Sequence, residues 1–184
     1  MLFRSLDGRV ASSSAGDEGR VQIRNLVAPG QLVELWENPG EWVMSLATTP
    51  DGRVISSGAH GQARVWDPNN LDQRAEAWGL SPGKPVNLVH PDRAVRAVAA
   101  LPDGRIVTGC DDGVVRVWDL ETPDDPAEIG RHDGPVWSVL ALPDGRIVTS
   151  GDSKVRLWQT DQPNQPVELG DLNVGPLVAG PLDG

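Results

Sequence analysis

Apolar residues in this chain come in short alternating runs, never in the three-to-four spacing of an amphipathic helix. One set of runs reads Val21-Gln22-Ile23-Arg24, Ala63-Arg64-Val65-Trp66, Val115-Arg116-Val117-Trp118 and Val155-Arg156-Leu157-Trp158. A second reads Leu32-Val33-Glu34-Leu35, Pro85-Val86-Asn87-Leu88, Pro126-Ala127-Glu128-Ile129 and Pro166-Val167-Glu168-Leu169. A third runs from Val43 to Leu46, Val95 to Val98 and Val136 to Val139, with a weaker copy ending at Val178. All are rich in β-branched residues and bounded by Gly, Pro, Asp or Asn, which predicts strands.

The punctuation repeats as well. Asp-Gly-Arg followed by an aliphatic residue begins at Asp7, Asp51, Asp103 and Asp144, and a further Asp-Gly stands at Asp183-Gly184. In Leu101-Pro102-Asp103-Gly104, proline presets φ and glycine accepts a positive φ, so the chain reverses. Asp112-Gly113 between two runs is a hairpin signal. Each period of about 40 residues supplies four antiparallel strands. The copies fall at roughly 1–37, 38–90, 91–131 and 132–171, with an extra strand in 172–184. One such sheet cannot bury both faces alone, but a stack of them can.

Composition narrows the reading. Of 184 residues, 21 are Gly and 16 Pro, as in a turn-rich chain, and 7 are Trp against one Phe and no Tyr. Such narrow aromatic usage points to one niche copied several times. The net charge of −10, without a basic run, speaks against nucleic acid or an anionic membrane as partner. Cys110 is the only cysteine, so neither an internal disulfide nor a cysteine zinc site is available. The first residues lack a signal-like apolar run, and Ala94 to Leu101 is too short to span a bilayer. A cytoplasmic setting is the expectation.

A four-stranded repeat of this length ending on Trp-Asp resembles the WD40 family, on Trp66-Asp67 and Trp118-Asp119. Copy four has Trp158-Gln159 and copy one Arg24-Asn25. Gly130-Arg131-His132, and His90 without the glycine, are similar to the family's Gly-His element. The resemblance implies an all-β, WD40-type β-propeller of about four four-stranded antiparallel blades, an open arc or partial propeller. It reads either as part of a longer propeller or as a chain that completes the ring by self-association.

The resemblance also implies a buried hydrogen-bond chain of His, Ser or Thr, Asp and Trp. Copy three offers His90, Thr108, Asp112 and Trp118 for it. Copy four offers His132, Thr149, Asp152 and Trp158, with a one-residue deletion that leaves Ser150 as a competing hydroxyl. Copy two has His60 at the Asp position, and copy one has Glu18 there and no Trp.

His132, Asp152 and Ser150 could be forced into a catalytic triad, but the trio recurs in copy three, as a structural motif does, and no Gly-x-Ser-x-Gly elbow is present. Asp111-Asp112 and Asp124-Asp125 lie at turns, where Asp bonds locally. Cys110 reads as a small buried residue. No catalytic residue, metal site or cofactor is expected. The binding candidates are Met44, Arg96 and Trp137, with Pro176 as a fourth equivalent, at positions that differ while the copies otherwise agree. Trp78 joins them from the long segment between Trp66 and Val86. The expected function is a non-enzymatic scaffold, or the sensor module of a larger signalling protein, with a protein or peptide partner. The alternatives are a propeller enzyme with a central metal or cofactor, and a structural array with no partner of its own.

Overall fold

The computed structural model describes residues 2–4, 9–13, 20–25, 32–36, 42–67, 86–90 and 93–171. The extra strand expected in 172–184, Pro176, Trp78 and Glu18 lie outside them. Among the described residues there is no helix. Sheet one holds β1 (Leu2–Arg4), β2 (Arg9–Ser13), β3 (Arg20–Asn25) and β4 (Leu32–Trp36). Sheet two holds β5 (Val43–Thr48), β6 (Val54–Gly58), β7 (Gln62–Trp66) and β8 (Val86–Val89). Sheet three holds β9 (Val95–Ala100), β10 (Ile106–Cys110), β11 (Val114–Trp118) and β12 (Ala127–Arg131). Sheet four holds β13 (Val136–Ala141), β14 (Ile147–Gly151), β15 (Lys154–Trp158) and β16 (Val167–Asp171).

Every sheet is an antiparallel meander in chain order. The Leu-Pro-Asp-Gly turn forms as its residues dictate. Gly104 has φ +91. Its N–H donates to the Leu101 carbonyl at 3.0 Å, and the Asp103 carboxylate accepts the Arg105 N–H at 3.1 Å. The same bonds close the turn at Leu142–Arg146.

The sheets pack face to face in order. Ala11, Val21 and Ile23 of sheet one meet Leu46, Val54 and Trp66 of sheet two. Ile55, Val65 and Leu88 of sheet two meet Val98, Ile106 and Trp118 of sheet three. Val107, Val117 and Ile129 of sheet three meet Val139, Ile147 and Trp158 of sheet four. The front faces of sheets two, three and four therefore carry aliphatics on their first two strands and Trp on their third. The back faces of sheets two and three are aliphatic. First strands adjoin first strands (β1 to β5, β5 to β9, β9 to β13), and no comparable contact joins sheets one and four among the described residues. This is an open arc of blades around the side lined by the first strands.

Candidate functional site: bulged inner strands above buried bolts

Alternation along β15 puts Trp158 on the front face, and β14 brings Thr149 beneath it. The Trp158 indole N–H donates to Thr149 Oγ1 at 2.7 Å. His132, just after β12 of the preceding sheet, places Nε2 2.7 Å from the same oxygen and Nδ1 2.6 Å from Asp152 Oδ1. A carboxylate only accepts, so Nδ1 carries the proton and Nε2 accepts from the Thr149 hydroxyl. Arg156 Nη1 also lies 2.6 Å from Nδ1. If Nδ1 accepted from Arg156 instead, Thr149 would receive two donors and its own hydroxyl would lose its acceptor. The Asp152 pairing leaves every member satisfied. Arg156 adds its own bonds to Asp152, at 3.0 and 3.2 Å. Each chain thus bolts the outer edge of one sheet to the next.

Sheet three repeats the bolt with one change. The Trp118 N–H donates to Thr108 Oγ1 at 2.8 Å, and Thr108 pairs with His90 Nε2 at 2.9 Å. His90 Nδ1, however, faces the Leu88 carbonyl at 3.1 Å, not Asp112. Asp112 binds the Val114 N–H at 2.9 Å and Arg116 Nη2 at 2.8 Å. This corrects the expected chain at one link. The hairpins differ in the way that matters. The deletion in copy four leaves a two-residue turn with Asp152 and Ser153 both left-handed, at φ 47 and 62. Copy three has one more residue and a single left-handed Gly113.

Sheet two keeps the Trp half: the Trp66 N–H donates to Ser56 Oγ at 2.9 Å. Sequence reasoning passed over Ser56, although register aligns it with Thr108 and Thr149. It also gave no role to the arginine two residues before each Trp. Arg64, Arg116 and Arg156 are all buried. The signal was present, because a charged residue recurred inside an otherwise apolar strand.

Burial pushes the Asp152 carboxyl up, but bonds from His132, the Asp133 N–H and Arg156 outweigh it and hold it below the usual range. Asp112 is likewise lowered, by Arg116 and the Val114 N–H acting against burial. For Arg64, burial lowers the pKa. Burial, then the nearby Arg116 charge, depresses His90 to about 4. Between about pH 4 and 6.5 the unfolded chain therefore binds a proton that the folded one refuses, so stability falls as pH drops through that window. Urea midpoints measured from pH 7 to pH 4 are expected to show this slope, and His90→Asn is expected to flatten it.

The trio that a triad would need does not assemble, in line with the structural reading. The hydroxyl facing His132 is Thr149, while Ser150 Oγ is buried without a partner. Burial, then Asp112, pushes the buried Cys110 thiol up to about 12, so it stays protonated at neutral pH. The Asp125 N–H bonds to Thr122 within a turn. Among the described residues no three His, Cys, Asp or Glu gather as metal ligands.

Met44, Arg96 and Trp137 share a geometry. In β5, Val43 pairs with Gly58 and Ser45 with Ser57, so Met44 is skipped. In β9, Val95 pairs with Cys110 and Ala97 with Gly109, so Arg96 is skipped. In β13, Val136 pairs with Gly151 and Ser138 with Ser150, so Trp137 is skipped. Each is the extra residue of a β-bulge, which removes it from the in–out alternation and re-aims its side chain. Trp137 is 46 % exposed. Trp42, two residues before Met44, is 60 % exposed. Met44 and Arg96 are partly buried. Arg96 is ion-paired to Asp111, and its guanidinium lies 4.2 Å from the Trp137 ring centroid. Trp42 escaped the sequence reading because it precedes the strand.

Stacked four-stranded meanders, joined edge to face by His–Thr–Trp bolts, define a blade-repeat protein. The family described as "WD40: WD domain, G-beta repeat" matches residues 30–67, 83–119 and 126–159, and the chain belongs to it. No curated protein matches the chain.

Proposed function

We propose that this chain is a non-catalytic interaction module that holds a protein or peptide segment against the bulged ends of its first strands. The observation that carries the reading is the coincidence of bulge and variation. The three skipped positions lie on adjacent inner strands and carry Met, Arg and Trp, residue types that supply binding hot spots. Rigid sheets hold them at fixed spacing, and the Arg96–Trp137 stack keeps the aromatic ring oriented while half exposed. Family membership supports interaction as the role. The proposal extends to a scaffold or sensor position in a larger signalling assembly, by the family's interaction role, and a single buried, protonated thiol suits a reducing, cytoplasmic setting.

Peptides selected from a random display library against the purified protein test this. Trp137→Ala is expected to weaken the selected peptides at least about 30-fold, as a 2 kcal/mol hot spot does, with an unchanged melting temperature. Trp42→Ala is expected to weaken them less. Equal affinity for wild type and both variants would overturn the reading.

A further inference from the structure

Arg96 is held on two sides and open on a third. Its Nε donates to Asp111 Oδ1, and its guanidinium lies 4.2 Å from the Trp137 ring centroid. Asp111 is itself fixed, because its N–H donates to the Ala94 carbonyl at 3.0 Å and ties the β10–β11 hairpin to the entry of β9. Among the described residues neither Nη1 nor Nη2 of Arg96 has a hydrogen-bond partner, and neither is shut off from the surface. The side chain is 25 % exposed. A guanidinium fixed through Nε and through its face presents the two Nη groups as a fork, which can grip a carboxylate with two parallel bonds. Little rotamer freedom is left to lose when it does so.

The charges around this fork favour an anion. Asp111 is answered by Arg96, and Asp112 by Arg116. Arg93, in the segment leading into β9, is exposed and has no side-chain partner among the described residues. Its backbone lies against the sheet-two hairpin, since a Cβ at Gly61 would stand 3.3 Å from its nitrogen. Acidic residues gather at the other end of the same sheets. The turns that follow β11 and β15 hold Asp119, Glu121, Asp124, Asp125 and Asp161, with neither Lys nor Arg. A negatively charged segment is therefore repelled from that end and admitted at the Arg96 end.

We infer that the segment docked at the bulged strand ends carries an Asp or Glu side chain seated on the Nη fork of Arg96, with an apolar neighbour against the exposed part of Trp137. The inference rests on the docking reading above and names the chemistry of its partner.

The display selection described above supplies the probes, resynthesised with amidated C-termini so that only side chains contribute carboxylates. Peptides that depend on Trp137 are expected to carry Asp or Glu, and its change to Asn or Gln is expected to weaken them at least about tenfold. That change leaves the protein untouched, so folding does not enter. Arg96→Gln is expected to weaken the acidic peptide by a similar factor and its amide counterpart far less. Trp137-dependent peptides without an acidic residue would overturn the inference and leave the docking reading standing. So would equal losses of both peptides on Arg96→Gln, because Arg96 would then act only by propping Trp137. Peptides indifferent to Trp137 would overturn the docking reading itself, and this inference with it.

Discussion

Thr149→Val is expected to cost about 4 kcal/mol, read as a lower urea midpoint at an unchanged slope. The hydroxyl is fully buried and serves two partners at 2.7 Å each. It accepts the Trp158 N–H and donates to His132 Nε2. Valine keeps the shape and removes both functions. Two buried polar groups are then orphaned, at roughly 1–3 kcal/mol each. Neither can turn to water, because His132 and Trp158 are themselves buried. Thr149→Ser, which keeps the oxygen, is expected to lose far less. Ser150→Ala is expected to be nearly neutral, since Ser150 Oγ has no partner to lose. Equal losses for Thr149→Val and Ser150→Ala would show that the bolt contributes nothing beyond packing. A loss of this size is a large share of the roughly 5–15 kcal/mol that holds a domain together.

The repeats were legible because each strand carries its own alternation and the Asp-Gly-Arg turn recurs in every copy. The side chain at Trp158 was legible for the same reason: one niche, reused. What could not be read was which partner His90 would choose. His90 and His132 precede equivalent strands, yet a one-residue difference in a hairpin some 20 residues away hands Nδ1 to a carbonyl in one case and a carboxylate in the other. Spacing places both Asp residues near the histidine but does not encode how a left-handed pair of turn residues swings a carboxylate. The bulges were hidden in a different way. Val43-Met44-Ser45 and Val136-Trp137-Ser138 look like uninterrupted alternation, and only pairing with the neighbouring strand shows the middle residue to be unmatched. The sequence offered a trace of this in the divergence of those positions among otherwise similar copies.

The bolts and the bulges are mechanically related. Arg96 reaches from sheet three over Trp137 of sheet four, while His132 reaches from the end of β12 into β14 and β15. Both cross the same junction, one at its exposed end and one in its interior. The spacing between Arg96 and Trp137, on which the proposed docking face depends, is therefore set by how closely sheets three and four pack.

Gly130→Ala tests that packing, and it is expected to be strongly destabilising. A Cβ at Gly130 would lie 1.9 Å from Trp158 Cζ3 and 2.4 Å from Cη2. These atoms belong to a side chain that is 1 % exposed and pinned at its N–H by Thr149. The ring cannot swing away without breaking that bond, so either the bolt opens or the sheets part. Overpacking costs about 1–3 kcal/mol where a core can yield, and loss of the Trp158 bond adds to it. A fall of at least about 4 kcal/mol in unfolding free energy is expected. Gly134→Ala, with nothing within 4 Å of the added carbon, is expected to leave stability nearly unchanged. Trp158→Phe removes the outer ring atoms that collide, so Gly130→Ala in that background is expected to cost much less than in wild type. The difference between the two costs is the coupling energy of the junction. If the two changes instead added independently, Gly130 would not be the seat of Trp158, and the front-to-back packing rule that organises the arc would fail at its best-defined junction.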